Sequence, residues 1–216
     1  MLCFNTHIGN TIPNPKKLFI FIHGFYANGQ DLLSLYPYLE DNLESTLFIA
    51  PDAPNINIAM DQSFYWYNVG SLNPEYLMQE LQTITPQFDR YISELKAKYK
   101  LENKDIYLYG FSQGALLILH YGLSQAEGFA GLIAHSGGMI PAAFQDQTCN
   151  DSNICLIHGE DDMVIPCETS QKASSFLDEQ NIPNTLHIIK NLDHSINPLS
   201  ISLTKQFIDS TLTHSK

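Results

Sequence analysis

Residues 105–123, DIYLYGFSQGALLILHYGL, decide the fold of this chain. The first six residues form a short apolar run typical of a buried strand, and residues 113–124 have the spacing of a helix. Ser112 stands between them with Gly110 and Gly114 on either side, in the pattern G-x-S-x-G. In that pattern a strand turns sharply into a helix, and side chains at the two glycines would collide with neighbouring backbone. The turn exposes the serine hydroxyl and directs the N-terminus of the helix towards it, where backbone N–H groups favour an oxyanion.

Short apolar runs alternate with amphipathic segments along the whole chain. The strand-like runs are 17–23, 45–51, 105–110, 129–136, 153–159 and 184–190, and the helix-like segments are 31–43, 74–99, 113–124, 168–180 and 199–212. Pro86 is expected to kink or divide the second helix. The alternation predicts one α/β domain over 1–216, with a mostly parallel central sheet and helices on both faces.

The composition excludes several classes of partner. The chain has 216 residues, 44% of them hydrophobic, and a formal net charge of −12, which argues against nucleic acid and anionic membranes. No run reaches the ~20 apolar residues of a membrane span, so we expect no integral membrane association. The apolar run 18–22 that follows two lysines is too short for a secretion signal. The four cysteines, none in a C-x-x-C pair, are typical of a reducing cytosol, and we expect a cytoplasmic protein without a metal or cofactor.

A serine hydroxyl needs a base to remove its proton and an acid to orient that base. In a parallel sheet these groups gather beyond the carboxyl ends of the strands, in the chain order serine, acid, histidine. The run NICLIHGEDD (153–162) ends in three candidate acids, Glu160, Asp161 and Asp162. His194 follows the last strand, whereas His187 lies inside it. All three kinds of group are therefore present in the required order.

Five short blocks together resemble the phospholipase/carboxylesterase family of α/β hydrolases, which includes the acyl-protein thioesterases. These blocks are FIHGF (21–25), SFYWYN (63–68), GFSQG (110–114), HGEDDMVIP (158–166) and DHSI (193–196). The resemblance runs from about Lys17 to the C-terminus. It implies the α/β-hydrolase fold and, with only a connecting loop at 136–151, no separate cap domain.

By this resemblance Ser112 is the nucleophile, His194 the general base and then acid, and Asp162 the carboxylate that orients His194. The backbone N–H groups of Phe25 and Gln113 would be the oxyanion donors. His23 and Gly24 would shape the first of these two turns without reacting. The chain departs from the family after Gly24, where Phe25 and Tyr26 replace a small residue and a glycine.

These residues predict a serine hydrolase that cleaves carboxylic esters or thioesters through an acyl-enzyme. The substrate would be a small-molecule or lipid-like ester, and the alternatives are a lysophospholipase, an acyl-protein thioesterase or a non-catalytic binding protein on the same fold. The loop 52–73 would cover the site. Tyr26, Phe64 and Trp66 either line an acyl groove or pack that loop onto the core. A homodimer is a further expectation.

Overall fold

The computed structural model of the protein describes residues 3–59, 63–71, 73–144 and 152–213. The strands are β1 (Thr6–Ile8), β2 (Lys17–Ile22), β3 (Thr46–Pro51), β4 (Asn55–Ile56), β5 (Phe64–Tyr65), β6 (Ile106–Phe111), β7 (Gly131–His135), β8 (Ile154–Gly159) and β9 (Asn184–Ile189). Seven of them form one sheet in the order β1-β3-β2-β6-β7-β8-β9, and β4 and β5 form a separate antiparallel pair. Within the large sheet every pairing is parallel except that of β1 with β3.

In the described part of the chain, five α-helices cover the two faces of this sheet, as the alternation predicts. They are α1 (Gly29–Leu33), α2 (Pro74–Tyr99), α3 (Gln113–Leu123), α4 (Glu168–Glu179) and α5 (Pro198–Thr213). Helices α2, α3 and α4 contribute to the core on one face, and α1 and α5 to the core on the other. Strand β2 shows why these runs are apolar at every position, because both of its faces are buried. Ile20 faces the first core, and Phe19 and Phe21 face the second.

Two helix predictions need correction. The segment 31–43 is not one helix, because α1 ends at Leu33 and only two short 3₁₀ turns follow, at Tyr36–Tyr38 and Glu40–Asn42. Pro37 lies in the first of these turns, and its ring and missing N–H prevent a continuous α-helix. Of the two outcomes expected at Pro86, the division of α2 does not occur, because the helix is continuous around that residue, and a kink stays a prediction. The proline ring is on the exposed side, where water can satisfy the carbonyl that has lost its donor.

Three strands were not predicted. The edge strand β1 has only three residues, too few for a recognisable alternation, and it is held to the sheet partly by a bond of 2.9 Å between His7 Nε2 and Asp52 Oδ2. Strands β4 and β5 have two residues each and lie within the predicted loop 52–73.

The described helices include none that is both long and apolar enough to cross a bilayer. The connection after β7 contains a 3₁₀ turn at Pro141–Phe144. Residues 145–151, which complete the connecting loop expected at 136–151 and include Cys149, lie outside the described residues.

Candidate active site

Ser112 occupies the sharp turn between β6 and α3. Its backbone has φ 54° and ψ −114°, a strained conformation for a residue with a side chain. The Ser112 N–H donates to the carbonyl of His135 at the end of β7, at 2.9 Å, and this bond holds the turn in place. A Cβ on Gly114 would overlap the carbonyl oxygen of Ile22, and one on Gly110 would overlap that of Gly114. The predicted need for both glycines is therefore confirmed.

The acid loop after β8 presents Asp162 to the histidine loop. Asp162 Oδ1 accepts hydrogen bonds from the backbone N–H groups of Val164 and Ile165, both at 2.9 Å. Its Oδ2 lies 2.7 Å from His194 Nδ1. The two acidic residues that precede Asp162 are exposed to solvent. Of the three carboxylates in this loop, the buried one is therefore the one that contacts a histidine.

Hydrogen bonds keep Asp162 ionised in spite of its burial. Burial by itself would raise the pKa of this carboxyl, but the bonds from His194 and from the amides of Ile165 and Val164 outweigh that effect and lower the pKa. Asp162 is consequently a carboxylate at neutral pH, able to accept the Nδ1–H of His194 and leave Nε2 free to act as a base.

A second histidine, His158, contacts the same carboxylate. Its Nε2 lies 3.2 Å from Asp162 Oδ2 and 2.8 Å from the carbonyl of Ile165, while its Nδ1 lies 2.6 Å from Ser170 Oγ. Burial lowers the pKa of this fully buried imidazole. The sequence analysis assigned no role to His158. Its position at the start of the HGEDD block, which supplies the acid, was the feature that could have indicated one.

His194 lies in the loop after β9, as predicted, and His187 lies within β9. The loops after β8 and β9 are joined by a bond from the Asp161 N–H to the carbonyl of Leu192, at 3.0 Å. The His194 ring centroid is 5.0 Å from that of Phe111, the residue before Ser112. Among the described residues no hydrogen bond joins the Ser112 hydroxyl to His194, whose Nδ1 bonds Asp162. Such serine–histidine bonds commonly tighten only when substrate binds.

The two expected oxyanion donors have free backbone N–H groups. Gln113 is the first residue of α3, where helical N–H groups have no partner within the helix. Phe25 follows Gly24, and a Cβ on Gly24 would lie 3.3 Å from Ser112 Cβ, so this turn is close to the serine. Neither N–H forms a hydrogen bond to any residue in the described ranges.

The three expected substrate-lining residues have different environments. Tyr26 is 45% exposed, has φ 57°, and its ring centroid lies 3.9 Å from that of Phe25. Phe64 is half-buried, and its N–H donates to the Ala27 carbonyl at 2.8 Å. Trp66 is only 1% exposed and belongs to the hydrophobic core. The structure therefore favours packing for Trp66, and lining by Tyr26 and Phe64 stays a prediction.

A cavity of about 310 Å³ lies beside His194, on the side of α1. Its lining residues are His23, Gly24, Ala27, Asn28, Asp31, Leu32, Leu35, Phe111, His194, Ser195 and Ile196. Tyr26, Phe64 and Trp66 are not among them. Within the part of the chain that the structure describes, no cluster of three or more His, Cys, Asp or Glu side chains could hold a metal ion.

Comparison with known sequences identifies the family. Residues 5–212 match the Phospholipase/Carboxylesterase family. The chain belongs to this family. It is 27% identical over 220 residues to acyl-protein thioesterase 1 homolog 1 of Dictyostelium discoideum, with 96% of each chain covered.

Solved structures agree with this assignment. The crystal structure of esterase PE8 is similar over 97% of this chain and 99% of its own, with a TM-score of 0.89 and 27% identity. A carboxylesterase from Bacillus cereus shares the fold, with a TM-score of 0.77 at 16% identity, over 97% of this chain and 95% of its own. The predicted α/β-hydrolase fold is thus confirmed, and membership of the family confirms the predicted class of carboxylic ester hydrolase.

Proposed function

We propose that the chain is a serine hydrolase that cleaves carboxylic esters or thioesters through an acyl-enzyme on Ser112. The observation that carries this proposal is the bond of 2.7 Å between His194 Nδ1 and the ionised Asp162. The His194 ring lies 5.0 Å from that of Phe111, the residue before the serine in its strained, glycine-flanked turn. A hydroxyl, an imidazole and a carboxylate in this order form the proton relay of serine hydrolases.

In the proposed reaction, His194 Nε2 removes the Ser112 proton while Ser112 Oγ attacks the substrate carbonyl carbon. Asp162 accepts the Nδ1–H throughout and stabilises the imidazolium that forms. His194 then gives its proton to the leaving alcohol or thiol as the bond to the carbonyl carbon breaks. Water, activated by the same imidazole, hydrolyses the acyl-enzyme and returns Ser112 to its starting state.

The negative charge on the tetrahedral intermediate would be stabilised by the backbone N–H groups of Phe25 and Gln113. Neither N–H has a hydrogen-bond partner among the described residues, Gln113 follows Ser112 directly, and Gly24, the residue before Phe25, is close to Ser112. Gln113 also stands at the N-terminus of an 11-residue helix, whose dipole favours negative charge at that end. Donors of this kind contribute most when they are fixed before the reaction begins.

The cavity beside His194 is our candidate for the part of the site that holds substrate. Its volume of about 310 Å³ is near the lower end of the roughly 300–1,000 Å³ range of small-molecule sites. That volume favours short esters. A cytoplasmic location and a homodimer stay predictions.

A second candidate function is protein deacylation, because the relative from Dictyostelium is named as an acyl-protein thioesterase homolog. A panel of esters and thioesters of two to sixteen carbons separates these candidates. Preference for short p-nitrophenyl esters supports a small-molecule esterase. Preference for long-chain thioesters, or for lysophospholipid, supports the acyl-protein thioesterase or lysophospholipase alternative.

The proposal is tested by Ser112→Ala, assayed on p-nitrophenyl acetate and butyrate. Removing a catalytic serine can cost about 10⁶-fold in kcat, so we expect activity to fall by at least ~10³-fold. Ser124→Ala is the matched control, since Ser124 caps the opposite end of α3 and its hydroxyl donates to the Tyr121 carbonyl at 2.8 Å. Wild-type rates in Ser112→Ala would refute catalysis at this serine and favour the non-catalytic binding protein.

A further inference from the structure

Trp66 connects the two segments that carry the proposed oxyanion donors. Its indole N–H donates to the carbonyl of His23 at 2.9 Å, and its backbone N–H donates to Gln113 Oε1 at 2.8 Å. Trp66, His23 and Gln113 are all buried. One residue is thus hydrogen-bonded both to the loop before Phe25 and to the first residue of α3.

His23 fixes the direction of the Phe25 N–H. Its Nε2 accepts the Ala53 N–H at 3.0 Å, so the proton is on Nδ1, which donates to the Gly24 carbonyl at 2.7 Å. Burial lowers the pKa of His23 to about 4, and the ring is therefore neutral at neutral pH. Because the Gly24–Phe25 peptide is planar and trans, the Phe25 N–H points away from the carbonyl that His23 holds.

Gln113 is held in a similar way by the residues around Trp66. Its Nε2–H donates to the Tyr67 carbonyl at 2.7 Å, and the Tyr67 hydroxyl donates to the Gln113 carbonyl at 3.2 Å. The side chain and the carbonyl of Gln113 are therefore both engaged. Its backbone N–H remains as the group that can donate to a ligand.

The separation of the two donors determines how well they serve one oxygen atom. Each N–H has to lie roughly 2.7–3.1 Å from the oxyanion, and constellations of this kind tolerate errors of only about 0.5 Å. The donors come from different elements, the loop after β2 and the start of α3. A fixed connection between those elements is what sets the distance between them.

We propose that Trp66 is a positioning residue for the oxyanion hole, holding the Phe25 and Gln113 amides at the separation that the reaction requires. Trp66 does this through its indole and backbone N–H groups and does not touch substrate. The inference rests on the proposed function and deepens it. It assigns Trp66 a role in the rate of reaction, distinct from the choice of acyl chain.

The test is Trp66→Phe, which removes the indole N–H and keeps an aromatic ring against Phe4 and Phe88, whose ring centroids lie 5.6 and 5.9 Å from that of Trp66. A misplacement of about 1 Å can cost ~10²-fold, so we expect kcat on p-nitrophenyl butyrate to fall about 10- to 100-fold. KM should stay within about twofold, because only binding of the transition state is weakened. The relative rates for different acyl lengths should be unchanged.

A trifluoromethyl ketone gives a second readout, because Ser112 attack on it forms an oxyanion in the same hole. Its affinity should fall by the same factor as kcat, which a loss of stability alone does not produce. Tyr107→Phe is the matched control. It also removes one buried polar group from an aromatic ring, a hydroxyl whose oxygen lies 2.7 Å from Thr211 Oγ1, but in the core on the opposite face of the sheet. This variant should lower Tm without changing kcat or inhibitor affinity.

Gln113→Met supplies an independent variant, since it removes the side-chain bonds and retains the backbone N–H. It should lower kcat as Trp66→Phe does, and the double variant should lose less than the product of the single losses because both act through one connection. If kcat and inhibitor affinity in Trp66→Phe match those of Tyr107→Phe, the inference is overturned. If Trp66→Phe does not fold, Gln113→Met is compared with Tyr107→Phe instead, and equal kcat and inhibitor affinity in those two variants overturn the inference. Failure of the proposed function is a separate result, namely wild-type activity in Ser112→Ala.

Discussion

Asp162 differs from its neighbour Asp161 in environment rather than in chemistry. Asp162 is buried, accepts two backbone N–H groups and lies against His194, whereas Asp161 is exposed. From the residues alone both carboxylates, and Glu160, were open candidates. The family pattern favoured Asp162, and the structure brings only that carboxylate of the three to the histidine.

Sequence reasoning named Trp66, His23 and Gln113 but could not predict the hydrogen bonds that join them, for a physical reason. Trp66 is bonded to His23 and Gln113, which lie 43 and 47 positions away along the chain. Neither periodicity nor local spacing encodes contacts over such separations. The aromatic block around Trp66 was recognisable, but its amphipathic residues are equally compatible with a groove and with a core. Only burial distinguishes the two.

At the scale of elements, the serine turn was predictable because its cause is local. A buried strand, a glycine-flanked serine and an apolar helix are consecutive in the sequence, and each follows its own periodicity. The prediction of one helix over 31–43 was wrong because its spacing misses a local interruption. Its apolar spacing is helical, but Pro37 interrupts the hydrogen-bonding pattern and yields two 3₁₀ turns.

The close approach of α3 to β2 leads to a prediction for Gly114→Ala. The added methyl group would overlap the Ile22 carbonyl oxygen, which is backbone and cannot rotate away. Overpacking usually costs about 1–3 kcal/mol, and overlap with backbone should reach about 3 kcal/mol or more in the free energy of unfolding. We also expect esterase activity to be lost, because the shift moves both Ser112 and the Gln113 amide. Urea unfolding and p-nitrophenyl butyrate hydrolysis measure the two effects.

Gly70→Ala is the matched control for this substitution. Among the described residues, a methyl group added at Gly70 meets only the far end of the Tyr76 side chain, which can move, at 3.2 Å from the hydroxyl oxygen. Stability should change by no more than about 0.5 kcal/mol, as for most surface substitutions. Equal losses in the two variants would show that the contact between α3 and β2 is not tight.

For the whole molecule, the sequence predicted the layers but not the order of the strands. Continuous apolar runs indicate strands that are covered on both faces. In the structure a hydrophobic core lies on each side of the sheet, as this pattern predicts. The order β1-β3-β2-β6-β7-β8-β9 depends on which strands pair, and pairing is set by contacts between distant segments. The short antiparallel β1 at the edge has too few residues to predict at all.

Buried neutral histidines give the whole molecule a pH-dependent stability. Burial lowers the pKa of His23 to about 4 and that of His135 to about 3. Unfolding returns each pKa to about 6.5, so between that pH and the folded values the unfolded state binds more protons. The free energy of unfolding should therefore fall as the pH drops below about 6.5, by up to ~1.4 kcal/mol per pH unit for each of the two histidines. Urea unfolding at pH 7, 6 and 5 measures this slope.

His135→Phe identifies one contributor to that slope. His135 is fully buried between aromatic rings, with Phe111 in an edge contact at 5.5 Å between ring centroids. Without this imidazole the unfolded state binds one proton fewer. The slope of the free energy of unfolding against pH should therefore decrease by up to ~1.4 kcal/mol per pH unit, whatever the change in stability at pH 7. A free energy of unfolding that is the same at pH 7 and pH 5 in the wild-type protein would contradict the assignment of these rings as neutral.

The relay from Ser112 through His194 to Asp162 is tested most directly by kcat on p-nitrophenyl butyrate for Asp162→Asn beside Asp161→Asn. Both variants exchange one oxygen for an amide in the same loop, but only Asp162 contacts His194. Loss of the carboxylate partner of a catalytic histidine can cost about 10⁴-fold, so we expect kcat to fall by ~10³- to 10⁴-fold in Asp162→Asn and to stay within about twofold of wild type in Asp161→Asn. Equal rates in the two variants, or a larger loss in Asp161→Asn, would contradict the relay.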